Sequence, residues 1–353
     1  MSSSNNPSLA NLKNRALWLK QAKGEFELGD APITEPGEGE ILVRNKALSI
    51  QPVDVFVAHG GHMNMVYPTI LGSSLAGIVE AVGPGVTKVK AGDRVQRFTV
   101  SEQYETIKLS DDISYFEAVS ACSQAPPSAP FAPTALNLPL PDLSQPPPPP
   151  SPNKKILIWA GSSGMGTLFI AHAKRAGYTV ITACSPKNFD LVRERGADHV
   201  FDRSAVDTPE KIRKLLPIQV WVDTRSKAES VNSIVEIVAP GPDKKLLEVQ
   251  QEAGGVKLLM LLPLSMAGIK AEDFPKGFTA QNHLFRNKAP ENAEFVEWML
   301  KDGGYIETGL KQGWLRGPRV QLFGGLSKVP EAIDQLSKGE NSGVKFVIDP
   351  SID

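Results

Sequence analysis

The sequence predicts an α/β protein in two parts, a mostly β portion followed by a doubly wound parallel sheet. Three observations carry that reading. Short strand patterns separated by Gly and Pro fill residues 15–125. After Asn153 apolar strands alternate with helix-period segments, the arrangement of right-handed βαβ units. Between them, 12 of the 27 residues from Pro126 to Pro152 are proline.

Residues 1–14 are polar and read as a flexible N-terminus. In the first part, residues 40–50, 74–83 and 94–100 read as strands, with turns at Gly83-Pro84-Gly85 and Ala91-Gly92-Asp93, and a helical turn follows Pro52. The proline-rich stretch 126–152, ending in Pro146 to Pro150, lacks backbone donors and reads as a linker or surface loop in polyproline II conformation. A ligand for an SH3-type partner is the competing reading of it. Strands are then expected at 155–160, 178–184, 199–202, 219–223 and 256–262, and helices at 164–176, 187–195, 208–216 and 226–239. Gly177 and Gly196 stand as helix stops. The cofactor part is bounded at 153–290, and the tail 291–353 carries helix 290–301, strand 319–323, helix 329–338 and strand 344–348.

With 38 basic and 39 acidic residues in 353, the net charge is −1, without the basic excess of a nucleic-acid binder. Cys122 and Cys184 alone cannot build a disulfide framework or a four-thiolate zinc site. No apolar run approaches the roughly 18 residues needed to cross a membrane. These features predict a soluble cytoplasmic protein without nucleic-acid or membrane partners.

The most informative segment is Lys154 to Gly177: a buried-type strand, a tight turn of small residues and a helix. Such a turn lets backbone approach a dinucleotide pyrophosphate, and the helix N-terminus stabilises its charge. Gly161 and Gly166 match the G-x-G-x-x-G pattern of a Rossmann-type domain, with Ser163 in the middle position. In NAD enzymes a carboxylate about 20 residues past the motif accepts the adenosine ribose hydroxyls. Here that place reads Ser185-Pro186-Lys187-Asn188, and Arg203 follows the next strand. A carboxylate beside a 2′-phosphate would cost on the order of 4 kcal/mol at 4 Å, so a hydroxyl and an ammonium select NADPH. Asp190 facing the ribose would undo this, and Lys187 and Arg203 as solvated surface charges is the competing reading.

Several stretches together resemble the zinc-independent medium-chain dehydrogenase/reductase superfamily, in its quinone oxidoreductase and enoyl reductase branch. They are Pro68 to Gly72 leading into Ala76 to Gly83, Ala91 to Val95, and Lys155 to Asp202. Ser185 to Asp190 followed by Arg195 to Asp202 is especially similar to fungal trans-acting enoyl reductases of secondary metabolism. The resemblance implies a GroES-like catalytic domain, formed by residues 15–125 and the tail, with a Rossmann-type domain inserted and the active site in the cleft between them. It carries NADPH contacts onto Gln51, Pro52, Val53, Asp54, Thr134, Ser162, Ser163, Gly164, Met165, Ser185, Pro186, Lys187, Asn188, Arg203, Leu262, Pro263, Val344 and Lys345. Where zinc-dependent relatives place Cys and His-Glu ligands, this chain reads Gln51 and Ser73-Ser74, and residues 97–111 hold no cysteine, so no metal is expected. His59 and His62 read as loop histidines. Many of these fungal enzymes carry a Lys where Phe56 stands, and a Tyr where Arg203 stands.

The expected chemistry is reduction of an α,β-unsaturated carbonyl compound, a small molecule or a carrier-bound thioester, by NADPH. Without a metal, hydrogen-bond donors must stabilise the enolate oxygen, and Gln51, Ser73 and Thr134 are the candidates. Asp54 is read as a loop-orienting or capping group and Cys122 as an inert small residue. Phe56, Met63, Met65 and Trp314 are candidates for a substrate pocket or for core packing. Quinone or carbonyl reduction, a non-reductive cyclisation, and a regulatory NADPH-binding protein without turnover are the alternatives. Neither a monomer nor a dimer is favoured.

Overall fold

A computed structural model describes residues 9, 12–60, 65–97, 106–121, 132, 135–282 and 289–353. Strands β1 (Arg15–Leu19), β2 (Phe26–Asp30), β3 (Ile41–Ser49), β4 (Thr69–Ile70), β5 (Leu75–Val82), β6 (Arg94–Arg97) and β7 (Thr106–Lys108) come first, with helices α1 (Pro52–Ala58) and α2 (Tyr115–Ala121). Then follow β8 (Ser151–Trp159), α3 (Gly164–Arg175), β9 (Tyr178–Cys184), α4 (Phe189–Glu194), β10 (His199–Asp202), α5 (Thr208–Arg213), β11 (Val220–Asp223) and α6 (Ala228–Val238). Helix α7 (Glu248–Glu252), β12 (Val256–Met260), α8 (Leu264–Ala267), β13 (Phe278–Asn282) and α9 (Ala293–Leu300) come next. Helix α10 (Tyr305–Lys311), β14 (Arg319–Gly324), α11 (Val329–Ser337) and β15 (Val344–Ile348) end the chain. Among these described residues no helix is long and apolar enough to cross a membrane.

The chain divides into two units. Unit 1 takes residues 1–126, 300–313 and 319–353, and unit 2 takes 127–299 and 314–318. Unit 1 is the GroES-like part: a small sheet β2-β1-β4 and a six-stranded sheet β14-β15-β3-β5-β6-β7, antiparallel except for the β14–β15 pair. The C-terminal strand β15 lies beside β3, pairing Val347 with Ser49 and Ile348 with Leu48, so the chain's end completes the sheet that its beginning starts.

Unit 2 holds one parallel sheet in the order β10-β9-β8-β11-β12-β13, the Rossmann-type order with its switch at β8. The period-2 alternation of β8 explains why both faces are covered. Ile156 and Ile158 join Phe169 and Ile170 of α3 and Val192 of α4 in one cluster, while Leu157 and Trp159 join Ile212 of α5 and Val231, Ile234 and Val238 of α6 in another. Each fully buried aliphatic side chain here contributes about 1.5–3 kcal/mol.

Several expected elements shift for local reasons. Strand β8 begins at Ser151 rather than 155, and its register with β9 jumps between Ser151 and Lys155, which accommodates Pro152 without an N–H. The helix expected at 187–195 is a 3₁₀ turn over Pro186–Asn188 followed by the shorter α4. Helix α6 starts at Ala228 because Ser226 adopts a positive φ of 53°. The proline-rich stretch, where described, runs along unit 2: Arg175 donates to the carbonyls of Asp142 (3.2 Å) and Gln145 (2.8 Å), and Leu136 and Leu138 pack on the α3 side of the core.

The turn between β8 and α3 has no space for side chains at two points. A Cβ on Gly161 would lie 2.1 Å from the Thr182 hydroxyl, and one on Gly166 would lie 2.7 Å from the Ala160 carbonyl. We expect Gly161→Ala to lower the unfolding free energy by about 1–3 kcal/mol through this overpacking. A reduced urea midpoint at unchanged slope is the expected readout, and an unchanged midpoint would contradict the close approach.

Candidate functional site

In unit 2 the residues expected to hold a dinucleotide gather at the C-terminal ends of β8, β9, β10 and β12. Ala160 turns the chain out of β8 with a positive φ of 59°. Ser163 then caps α3: its φ of −70° needs no glycine, and its Oγ accepts from the Gly166 N–H at 3.0 Å. The backbone conformation at this middle position thus does not call for glycine. The same hydroxyl lies 2.8 Å from Thr224 Oγ1, which sits 2.9 Å from the Trp159 carbonyl and 3.0 Å from that of Ala160, tying the turn to the end of β11. At Gly164 nothing lies within 4 Å of where a Cβ would be, so the first turn of α3 is open at that position.

Next to the turn, Asn188 is buried and its Nδ2 donates to Ser162 Oγ at 3.2 Å, joining the turn to the segment after β9. Pro186 and Lys187 are exposed. Arg203 Nε donates to Ser185 Oγ at 3.3 Å, which places a guanidinium beside the hydroxyl at the end of β9. Asp190 instead pairs with Arg193 at 3.5 Å along α4, and Asp202 accepts from the Ser204 N–H. Among the described residues neither Lys187 nor Arg203 has a carboxylate within 4.0 Å. Met165 is half-buried, and Cys184, which closes β9, is buried, its thiol pushed up to about 11 by that burial.

Ser226 is a residue that sequence reasoning missed. Its Oγ accepts from the backbone N–H groups of Leu261 (2.8 Å) and Leu262 (3.2 Å), so it fixes the path into Leu262-Pro263. Fully buried Asp223 accepts from Ser230 Oγ at 2.6 Å and from the Arg225 N–H at 2.9 Å, which holds the end of β11 against α6. The run Asp223-Thr224-Arg225-Ser226 at the end of a strand was the available signal.

In unit 1 a second polar group forms around the start of α1. Gln51 is 2% exposed, Asp54 5% and Lys345 6%, levels at which each polar atom needs a partner. Lys345 Nζ donates to Gln51 Oε1 at 2.6 Å, Gln51 Nε2 donates to Ser49 Oγ at 2.9 Å, and the Gln51 backbone N–H donates to Asp54 Oδ2 at 2.7 Å. Burial pushes the Asp54 carboxyl up, opposed by N–H groups of Gln51 and Gly72 and by the Lys345 charge. Burial likewise pushes the Lys345 ammonium down to about 8, opposed by Asp54. Ser73 Oγ, one residue past Gly72, is buried with no hydrogen-bond partner, whereas Ser74 is buried and bonded. Pro52 is exposed, Val53 and Val344 are half-buried, and Phe56 is 43% exposed on α1. Trp314, in unit 2, packs under Arg175 with the guanidinium 5.0 Å from its ring centre. Thr134, Cys122, His62 and Met63 lie outside the described residues.

Two family descriptions match the chain: an alcohol dehydrogenase GroES-like domain over residues 37–111 and a zinc-binding dehydrogenase over 164–244. The chain is 31% identical to the zinc-binding alcohol dehydrogenase domain-containing protein cipB of Emericella nidulans, over 96% of this chain and 99% of that one. It is 28% identical to the trans-enoyl reductase ACTTS2 of Alternaria alternata, over 95% of this chain and 98% of the relative. Its fold is that of the quinone oxidoreductase of Pseudomonas syringae pv. tomato, with a TM-score of 0.65 at 19% identity, covering 95% of this chain and all 100% of that one.

The residues present do not fit a catalytic zinc. At the positions where the resemblance puts thiolate and imidazole ligands the chain has an amide and a hydroxyl, and an ammonium already occupies the amide oxygen of Gln51. Among the described residues no three His, Cys, Asp or Glu side chains gather in one place. A dinucleotide does fit the turn between β8 and α3: Gly161 and Gly166 let it close tightly, nothing covers Gly164, and the N-terminus of α3 begins there.

The buried lysine has a measurable signature. Lys345 titrates at about 8 in the folded chain against 10.5 for an ordinary lysine, so between those values the unfolded chain binds more protons. Stability therefore rises as pH climbs through that window, and below it the cost of burying the ammonium is fully present. We expect the unfolding free energy of wild type, relative to Lys345→Met, to gain up to about 3 kcal/mol across the window in denaturant titrations. A difference that stays flat with pH would contradict it.

Proposed function

Because the chain belongs to the medium-chain dehydrogenase/reductase superfamily, whose members use NAD(P)H, we propose that it is a zinc-free, NADPH-dependent reductase of α,β-unsaturated carbonyl compounds. The observation that carries this reading is the replacement of a metal centre by uncharged donors, with the buried hydroxyl of Ser73 left without a partner. Similarity to a trans-enoyl reductase over 95% of the chain supports the substrate class, which includes thioesters on a carrier.

In this reading Gly161 and Gly166 let the turn close tightly on Thr182 and Ala160, the open main chain at Gly164 faces the pyrophosphate, and the N-terminus of α3 stabilises its charge. Lys187 and Arg203 recognise the 2′-phosphate that distinguishes NADPH from NADH. Ser226 holds the Leu262-Pro263 segment in place for the nicotinamide. When bound, the nucleotide supplies a hydride equivalent to the β carbon of the substrate. Negative charge then develops on the carbonyl oxygen, and the Ser73 hydroxyl donates to it. The α carbon takes a proton from solvent, and the products are the saturated carbonyl compound and the oxidised nucleotide.

Three measurements test the proposal. Calorimetry should find NADPH bound in strong preference to NADH, with Lys187→Ala or Arg203→Ala each reducing that preference by about tenfold, the value of a lost charge-assisted hydrogen bond. Consumption of NADPH should be fastest with enals or enoyl thioesters; faster turnover of quinones or saturated aldehydes would redirect the assignment. Ser73→Ala should lower kcat by about 100-fold and leave NADPH affinity unchanged. An unaltered kcat would remove Ser73 from the mechanism.

A further inference from the structure

Lys345 enters β15 near the end of the chain and reaches Gln51 at the start of α1, 294 residues away in sequence, at 2.6 Å. An ammonium has donors only, so it faces the carbonyl end of the amide and cannot face the NH₂ end. That settles the orientation of the side chain: Nε2 points the other way and gives one hydrogen to Ser49 Oγ at 2.9 Å. Nε2 carries two hydrogens, and among the described residues Ser49 is its one acceptor, so the second hydrogen is unspent.

The amide has little freedom to leave this arrangement. Asp54 Oδ2 accepts from the Gln51 backbone N–H at 2.7 Å, and the Asp54 N–H returns a bond to the Gln51 carbonyl at 3.0 Å. The same carboxylate accepts from the Gly72 N–H, one residue before Ser73, so Asp54 fixes the segments that carry both uncharged donors. Ser49, Gln51, Asp54 and Lys345 are each less than a tenth exposed. Burying an ammonium is costly, and a methionine of similar length would fill the same space without that cost. What methionine could not do is dictate which end of the amide faces which way.

We propose that Lys345 is a positioning residue that locks the Gln51 amide, so that its second Nε2 hydrogen is a fixed donor to the substrate carbonyl oxygen as charge develops there. The proposal rests on the reductase reading and deepens it: unit 1 then offers a pair of donors, Ser73 and Gln51, and a buried cation that holds one of them in register. Two donors to one oxygen describe a substrate whose carbonyl becomes an enolate. The lock depends on the protonated state of Lys345, because a neutral amine can accept as well as donate and would tolerate the flipped amide. Asp54 is the charged group that acts on Lys345, and it favours the protonated form.

The test has two arms on the full-length protein. In the first, the side-chain amide signals of Gln51, assigned by their loss in Gln51→Met, are followed by NMR without nucleotide. They should shift with a single midpoint near 8, the value to which burial brings Lys345, and the shift should be absent in Lys345→Met. In the second, NADPH consumption is measured with the crotonyl thioester of N-acetylcysteamine. Lys345→Met should lose about 10- to 100-fold in kcat, and Lys345→Arg should recover most of the loss. Amide signals that do not move between pH 7 and 9, or an unchanged kcat in Lys345→Met, would overturn the proposal. If wild type consumes no NADPH with the thioester, the reductase reading fails, and the titration of wild type alone decides whether the lock exists. That arm also stands if Lys345→Met does not fold.

Discussion

Unit 1 is organised by a buried ammonium and a buried carboxylate that share one glutamine. Lys345 and Asp54 contact Gln51 at its side chain and its backbone, and through them β15, α1 and the Gly72 loop are drawn to one point. These groups come from both ends of the chain, so the local arrangement exists only once the C-terminal strand has joined the sheet beside β3. Charge in a low-dielectric interior is expensive unless every polar atom is matched. Here one Nε2 hydrogen of Gln51 stays unmatched among the described residues, and displacing any one member leaves another without its partner.

Unit 2 is organised differently, around a tight turn at the centre of its sheet. The sheet order places β8 at its centre, and the turn leaving β8 has side-chain-free contacts at Gly161 and Gly166. Around that turn a set of hydroxyls makes cross-connections: Ser163 to Thr224, Ser162 to Asn188, and Ser226 to the backbone after β12. Each connection joins ends of neighbouring strands. Together they tie the ends of β8, β9, β11 and β12 to one another.

The fold was legible because its signals are local. Alternation in Ile156 to Trp159, the glycine turn and the recurring helix stops each speak about their own few residues, and the parallel sheet follows from their order. Strand β13 was harder to read because Phe278–Asn282 lies at the sheet edge with most side chains exposed, so no apolar run marks it. The place of Ser163 in the glycine motif read as a departure, since a capping role depends on the bond to Gly166 and not on composition. The resemblance named Lys345 and Gln51 as contacts of one cofactor, but nothing in the sequence showed that they bond to each other. A lysine in the strand pattern Val-Lys-Phe-Val-Ile looks like an ordinary outward-facing residue, and only the tertiary pairing turns it inward.

Arg175 anchors the proline-rich stretch through the carbonyl oxygens of Asp142 and Gln145, and Gly177 leaves the clearance in which Pro148 sits. Carbonyl oxygens are common to all residues, so this anchorage is blind to side-chain identity. The stretch is thereby free to drift in composition over evolutionary time, whereas the spacing between its two carbonyls is not. Insertions and deletions, more than point changes, are what selection would remove from this part of the protein.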